Sequence, residues 1–288
     1  MYLNFYKLRE FPFSLSCEGK FFYESPLHAE ALANMIYAIQ QRKGMVLVTG
    51  EVGTGKSFVG SVLGARLGVG CLAVTMQNPP ESKKQLLRGF ARQIGLAVPS
   101  SVDKLTLVED LQEHLIRLNN RGRLVGLILD EAQDLSDASL EEVRLLWNWE
   151  QEGRRLVQIV LIGQPELRER LQEPKWEPLK QRIVLSYHLQ GLSAEDTYAY
   201  IRHRIRVASQ DGSVIEFAPE ALETIHAATD GIPRLINTLC DNALLVGYVK
   251  GKPCIDKSIV NEVLRNMTCW GLRIQPEENS SSRACVSQ

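Results

Sequence analysis

The sequence predicts an α/β fold built on a parallel sheet, followed by a small helical domain. After residue 44, short runs rich in aliphatic and β-branched residues alternate with amphipathic stretches, which is typical of successive βα units. After about residue 190 these runs stop, and the remaining pattern shows helical periodicity with helix-start signals. A glycine-rich loop also joins the first strand to a helix. Together these observations predict two domains.

The expected strands are short and three of them are almost wholly apolar, as parallel strands covered on both faces should be. The predicted strands are 45–49 (MVLVT), 71–75 (CLAVT), 124–130 (LVGLILD), 156–163 (LVQIVLIG) and 182–189 (RIVLSYHL). The predicted helices of the second domain are 194–209, 219–229, 233–249 and 256–267. The turn sequences DGS, DGIP and KGKP separate these helices.

The domain boundaries follow from these patterns and from the chain length of 288 residues. We expect an α/β domain with an N-terminal extension over residues 1–190, a helical domain over 191–268 and a disordered polar tail over 269–288. The extension is rich in aromatic residues, including Tyr6, Phe13 and Tyr23. Some of them could cover a nucleotide base, but most are expected in a core, because aromatic residues dominate packing.

The composition argues against several functional classes. Lysine and arginine total 33 against 34 aspartate and glutamate, so the net charge of −1 gives no overall attraction to nucleic acid or anionic membranes. The six cysteines show no C-x-x-C spacing, and the histidines are not paired, which argues against a zinc site or a disulfide framework. No leader-like segment and no bilayer-spanning run is visible. A soluble protein of the reducing cytoplasm is the expectation.

The stretch VLVTGEVGTGKSFVGSVL, residues 46–63, predicts a phosphate-binding loop. It matches G-x-x-x-x-G-K-S in full and lies between a strand and a helix, which makes a chance glycine-rich turn the weaker interpretation. Its glycines let backbone N–H groups approach phosphate oxygens, Lys56 can reach the terminal phosphates and Ser57 can bind Mg²⁺. The predicted nucleotide-binding residues are Gly50, Glu51, Val52, Gly53, Thr54, Gly55, Lys56, Ser57 and Phe58.

A second motif follows the third predicted strand, in LVGLILDEAQ. Asp130 is predicted to hold the Mg²⁺ shell and Glu131 to polarise the attacking water. An acidic pair after a strand is weak evidence alone, because acids often end strands by reaching solvent. Combined with the upstream loop, the pair indicates a hydrolase of nucleoside triphosphates.

Further segments carry a resemblance to a known family. In order along the chain they are FYKLREFPFS, FFYESPLHAEALANMIYAI, DEAQDL, LEEVRLLWN, QIVLIGQPEL, LKQRI, LSAEDTYAYIRHRI and GIPRLINTLCDNALL. From residue 1 to about 268 the chain resembles the AAA+ ATPases of the ExeA type, also called general secretion pathway protein A. The resemblance implies a P-loop NTPase whose parallel sheet is sandwiched by helices, a helical lid, and Mg²⁺ with ATP bound between them.

The resemblance also implies partners. Such proteins work as homo-oligomers, in rings or filaments, and serve secretion or export machinery, so an unidentified protein of such a system is the expected partner. Related ATPases of the TniB and MuB kind assist transposition. The alternative function is therefore an ATP-dependent regulator associated with duplex DNA.

Two catalytic roles follow from the resemblance for polar residues outside the two motifs. Gln164, after the fourth predicted strand, would be a sensor that orients the attacking water, although it could instead only cap the turn before Pro165. Arg234 would be the second sensor, reaching from the lid to the γ-phosphate. A cation in the first turn of a helix is electrostatically disfavoured unless an anion lies nearby, which supports this role.

A third role concerns an arginine finger, which completes the active site of a neighbouring subunit. Arg182, just before the fifth predicted strand, is the candidate. It could equally be a surface residue, and Arg168 or Arg170 could serve in its place.

One charged stretch bears on the DNA alternative. Lys84, Arg88 and Arg92 recur every four residues in ESKKQLLRGFARQIGL, opposite an apolar stripe, and so form a basic ridge on a predicted helix. In a ring of subunits such ridges could contact DNA phosphates. An ordinary charged surface helix is the favoured interpretation.

Overall fold

The computed structural model describes residues 2–14, 19–80, 82–210 and 215–268. The predicted tail, 269–288, lies outside the described residues. Two compact units are present. The sheet unit is Pro26–Gln190, and the helical unit combines the described residues before Pro26 with those from Gly191 onward.

The secondary-structure elements follow the predicted order. The helices are α1 Tyr2–Tyr6, α2 Pro26–Gln40, α3 Lys56–Arg66, α4 Lys83–Gln93, α5 Lys104–Asn120, α6 Asp137–Trp147, α7 Pro165–Arg170, α8 Glu177–Lys180, α9 Ala194–Ala208, α10 Pro219–Thr229, α11 Pro233–Val249 and α12 Lys257–Thr268. The strands are β1 Met45–Gly50, β2 Cys71–Met76, β3 Leu124–Leu129, β4 Glu150–Gln151, β5 Arg154–Arg155, β6 Gln158–Gly163, β7 Ile183–Leu189, β8 Glu216–Phe217 and β9 Cys254–Ile255.

The predicted parallel sheet is confirmed. Five strands are ordered β2-β3-β6-β1-β7, and every neighbouring pair is parallel. The fourth and fifth predicted strands correspond to β6 and β7. The antiparallel hairpin of β4 and β5 was not predicted, because two-residue strands carry no periodicity.

Both faces of the sheet are buried, which explains why its strands are apolar throughout. Leu47, Leu127 and Leu161 belong to the core shared with α4 to α8. The residues next to them along each strand point to the opposite face of the sheet, where α3 packs. There a Cβ on Gly60 would lie 2.7 Å from Ile162 Cδ1, so only glycine lets α3 lie this close to the sheet.

The helical unit is built from α9 to α12, close to the predicted bounds. Its core joins these helices with the parallel bridge between β8 and β9. Helix starts are marked by side chains: the carboxylate of Asp256 accepts from the amide of Ile259 at 3.0 Å at the start of α12. None of the described helices has an apolar segment of the length needed to cross a bilayer.

The N-terminal extension groups with the helical unit in the structure, although the sequence was interpreted as joining it to the sheet domain. Tyr6 is fully buried, and its hydroxyl donates to the carbonyl oxygens of Leu244 at 3.2 Å and Lys252 at 3.1 Å. Arg204 is also buried and donates to the carbonyl oxygen of Pro12. Aromatic residues in a sequence show that the segment enters a core, but not which core it enters.

Candidate nucleotide-binding site

The strand order brings the predicted motifs to one edge of the sheet. Because β3, β6 and β1 are parallel neighbours, their carboxyl ends lie side by side. The loop after β1, the acids after β3 and Gln164 after β6 therefore meet. This edge, beside a point where the strand order reverses, is where open α/β sheets bind ligands.

The loop glycines are required for two different reasons. Gly53 and Gly55 have φ angles of 89° and 97°, in the region that only glycine adopts readily. Gly50 is constrained by space, since a Cβ there would lie 2.4 Å from the carbonyl oxygen of Leu189. The hydroxyl of Thr54 donates to the carbonyl oxygen of Glu51 at 2.9 Å and closes the turn.

Lys56 is buried at the start of α3 and extends along the loop. Its Nζ donates to the carbonyl oxygens of Gly50 at 2.7 Å and Glu51 at 2.8 Å. The ammonium is thus held within the loop, beside the positive end of the α3 dipole. Val52 is exposed, and Phe58 is half-buried in the first turn of the helix. Positive charge and backbone amides together provide a site for an anion.

Asp130 and Ser57 are the two residues predicted to bind Mg²⁺, and they contact each other. Asp130 is 4% exposed, and its carboxylate accepts hydrogen bonds from the Ser57 side chain and from the Glu131 amide. Burial raises the pKa of Asp130 above the usual value for aspartate, and these hydrogen bonds oppose the rise. A buried carboxylate beside a hydroxyl fits Mg²⁺, which needs only one or two protein oxygens when substrate phosphates complete its shell.

Glu131 is held by two amide side chains. Its backbone is left-handed, with φ 52° and ψ 42°, which is uncommon for a residue with a side chain. Gln133 Nε2 donates to Glu131 Oε2 at 2.7 Å, and Gln164 Nε2 lies 3.5 Å from the same oxygen. The structure gives Glu131 Oε1 no hydrogen-bond partner among the described residues. One carboxylate oxygen is therefore held in place, and the other is available to a water molecule or ligand.

Gln133 was missed in the sequence analysis. Its side chain also accepts a hydrogen bond from the backbone amide of Gln164 at 3.0 Å, so it links the ends of β3 and β6. The only clue in the sequence is an amide two residues after the acid in DEAQ. Its role depends on the turn at Ala132–Asp134 and on the adjacency of the strands, neither of which a short motif reveals.

The structure shows the direction of the Gln164 side chain. Gln164 immediately precedes α7, yet its side chain makes no capping hydrogen bond. It extends instead toward Glu131. This position, on the strand between β1 and β3, is the one that the sensor interpretation requires.

The arginine-finger candidates occupy different edges of the sheet unit. Arg182 precedes β7 at the amino edge, away from the loop by the length of a strand, roughly 20 Å. Its Nε donates to Asn148 Oδ1 at 3.2 Å. Arg170 instead donates to the carbonyl oxygen of Leu135 at 2.5 Å and pairs with Asp137. Arg168 is exposed.

Arg234, the residue predicted as second sensor, is exposed in the first turn of α11, within the helical unit.

His28, on α2, was assigned no functional role from the sequence. It is buried, and its Nε2 lies 3.9 Å from the position of a Cβ on Gly55, so it packs against the phosphate loop.

Comparison with known proteins agrees with this geometry. Residues 39–171, which include the loop, both acids and Gln164, match the family model described as AAA domain. This segment is an AAA domain. The chain is 40% identical over 251 residues, 87% of its length, to general secretion pathway protein A of Aeromonas hydrophila. The predicted resemblance to that type of ATPase is thereby confirmed.

The similarity extends over only part of each of these relatives. The chain spans 46% of general secretion pathway protein A, about half of that relative. It is also 28% identical over 177 residues to an uncharacterised HTH-type transcriptional regulator of Methanocaldococcus jannaschii, of which it covers 42%. Conclusions from these relatives therefore apply to the shared segment.

Solved structures confirm the predicted fold class. The ORC2 protein of Aeropyrum pernix matches with a TM-score of 0.65 at 15% identity, over 85% of this chain and 71% of that one. Cdc6p of Pyrobaculum aerophilum matches with a TM-score of 0.66 at 17% identity, over 88% and 70% of the two chains. The RuvB motor of Thermotoga maritima gives 0.56 at 17% identity, over 83% and 68%. At such identities the likeness establishes the AAA+ fold alone.

Proposed function

We propose that the chain binds ATP with Mg²⁺ and hydrolyses the bond between its β- and γ-phosphates. The observation that carries this proposal is the meeting, at one sheet edge, of an anion-binding loop, the Ser57–Asp130 pair and a carboxylate with one anchored oxygen. Each is a required part of a phosphoryl-transfer site.

The residues divide the chemistry among them. The loop amides and Lys56 bind the phosphates. Ser57 and Asp130 would hold Mg²⁺, which would neutralise phosphate charge. Glu131 Oε1 accepts the proton of a water whose oxygen bonds to the γ-phosphorus. The bond from that phosphorus to the bridging oxygen breaks, and ADP leaves with the electron pair. Gln133 and Gln164 orient Glu131, and Gln164 also orients the water.

A homo-oligomer, as a ring or filament, is part of the proposal. Because Arg182 lies at the edge of the sheet opposite its own loop, a head-to-tail arrangement would bring it to the γ-phosphate of a neighbour. Arg234, as second sensor, would respond to the same phosphate from the lid. Motion of the lid would then transmit the nucleotide state to a partner.

The process served is proposed from the relatives. Similarity to general secretion pathway protein A supports a cytoplasmic role in the assembly of a secretion or export machinery, with a protein of that machinery as partner. The alternative is a regulator of transposition bound to duplex DNA, of the TniB or MuB kind. The basic ridge on α4 favours it: Arg92 is exposed and Lys84 and Arg88 are half-buried, above buried Phe90.

Two substitutions test the ATPase assignment. Lys56→Ala should abolish nucleotide binding, because the loop would face phosphate charge without its main cation. Glu131→Gln should preserve binding and stop turnover, because the carboxylate that accepts the proton is lost. The measurements are titration with a fluorescent ATP analogue and release of inorganic phosphate. Undiminished affinity in the first variant, or parental turnover in the second, would contradict the assigned roles.

A mixing experiment tests the shared site. Arg182→Ala should bind ATP normally but hydrolyse it at least about 10³-fold more slowly, if it acts as a finger. Mixed with Glu131→Gln, it should regain part of the activity, since some interfaces would combine an intact Arg182 with an intact Glu131. Absence of rescue in subunits shown to exchange would exclude action on a neighbour.

A further inference from the structure

We propose that a basic cleft at the amino edge of the sheet binds the phosphodiester backbone of duplex DNA. The cleft, called here the amino-edge cleft, has a volume of about 430 Å³. Its cationic residues are Arg42, Lys43, Arg154 and Arg155, and Trp147 forms part of its wall. It lies a full strand length from the nucleotide loop of its own chain, so the proposal does not depend on ATP hydrolysis by that chain, and it applies to subunits whose amino edge is not covered by a neighbour.

Strand adjacency creates this concentration of charge. Arg42 and Lys43 precede β1, Arg154 and Arg155 precede β6, and Arg182 precedes β7. These strands are neighbours in the order β6-β1-β7, so their basic amino ends meet although they are far apart in sequence.

The positive charge is only partly balanced by protein groups. Among the described acidic residues, Glu150 pairs with Arg155 at 3.0 Å, while the side chains of Lys43 and Arg154 form no ion pair or hydrogen bond with the described residues. Burial lowers the pKa of Arg42, and the nearby charge of Arg154 lowers it further. Clustered like charges raise the energy of the unliganded cleft, and an anion would relieve it.

Trp147 forms part of the wall of the cleft, and its indole Nε1 is buried without a hydrogen-bond partner among the described residues. Because that atom is shielded from solvent, it does not meet a ligand in the cleft, and the proposal rests on the cationic side chains.

The same tryptophan argues for a nucleic-acid backbone over a free nucleotide. The guanidinium carbon of Arg155 lies 4.2 Å from the centre of its ring and that of Arg182 lies 5.5 Å away. With arginines stacked on it, the ring offers no free platform for a base. Arginine and lysine side chains along an open cleft favour phosphate contacts that do not depend on sequence.

Charge reversal of the two exposed cations tests the proposal with little risk to folding. The full chain and the variant Lys43→Glu/Arg154→Glu are titrated with a short fluorescent duplex between about 50 and 200 mM salt. We expect affinity to fall roughly tenfold or more, and the salt slope to shrink by about two units, because two phosphate contacts are lost. Thermal melting and binding of the ATP analogue should match the parent.

The matched control is Arg202→Glu/Arg265→Glu, which changes the net charge equally at two exposed cations of the helical unit and should bind DNA like the parent. Equal weakening in both variants, or weakening in the control variant alone, overturns the assignment to the cleft. So does a parent that binds no duplex. Displacement of DNA by pyrophosphate as effectively as by unlabelled duplex would show a site for free phosphate and overturn the proposal. Lys56→Ala without ATP should retain DNA binding, which separates this test from that of the ATPase.

Discussion

Replacing Gln133 by alanine tests whether Glu131 is held for catalysis by its neighbours. The substitution removes the 2.7 Å hydrogen bond to Glu131 Oε2 and leaves only Gln164 Nε2, at 3.5 Å. A hydrogen bond to a charged group contributes about 1.5–3 kcal/mol. If that energy positions the carboxylate in the transition state, kcat should fall by about 10- to 150-fold, at 1.36 kcal/mol for each factor of ten.

The assay is steady-state phosphate release together with direct measurement of ATP affinity. The loss should appear in kcat, with the affinity for ATP unchanged, because Gln133 does not belong to the phosphate loop. Gln133→Glu keeps an acceptor for the Gln164 amide but removes the donor, so it should be at least as impaired. Asp134→Ala, the exposed neighbouring residue, is the control and should hydrolyse ATP at the parental rate. Equal activity of Gln133→Ala and the parent, or a loss confined to ATP affinity, would refute the positioning role.

Two further predictions concern the loop and the helical unit. Gly50→Ala should destabilise the fold by about 1–3 kcal/mol and weaken ATP binding, because its Cβ would lie 2.4 Å from the Leu189 carbonyl oxygen. The control is Gly70→Ala, where a Cβ would meet open space, and it should change neither the free energy of unfolding nor the affinity for ATP. Chemical denaturation and nucleotide titration measure these two quantities. Asp256→Ala should lower the free energy of unfolding at pH 7 by about 0.5–1 kcal/mol through loss of the α12 cap. Because hydrogen bonds from Lys252 and Ser258 lower the pKa of Asp256, its contribution is present above the unfolded-state pKa of about 4 and is lost as the pH falls further, so urea unfolding of the two proteins should converge in acid.

Much of the sheet unit could be predicted from local pattern. A buried parallel strand needs a short apolar run, and each of the five runs forms a strand within a few residues of the expected bounds. The phosphate loop and the acids after β3 were also visible, because their chemistry requires fixed residue types at fixed spacing. The roles of the catalytic residues remain predictions.

Other features depended on contacts between distant segments. The aromatic residues of the N-terminal extension indicated burial, but only the structure shows that Tyr6 packs with α11. In the sequence, Gln133 cannot be told apart from other polar residues that follow an acid. In the structure, the left-handed backbone at Glu131 places the side-chain amide of Gln133 against the Glu131 carboxylate.

The sequence by itself determined the elements, the phosphate loop and the acids that follow β3, because each arises from interactions within a few residues along the chain. The tertiary structure decided which strands are neighbours. That adjacency places Gln164 between the loop and Glu131 at the carboxyl edge, and it gathers Arg42, Arg155 and Arg182 at the amino edge. Strand order is set by packing over the whole sheet, and no local pattern encodes it.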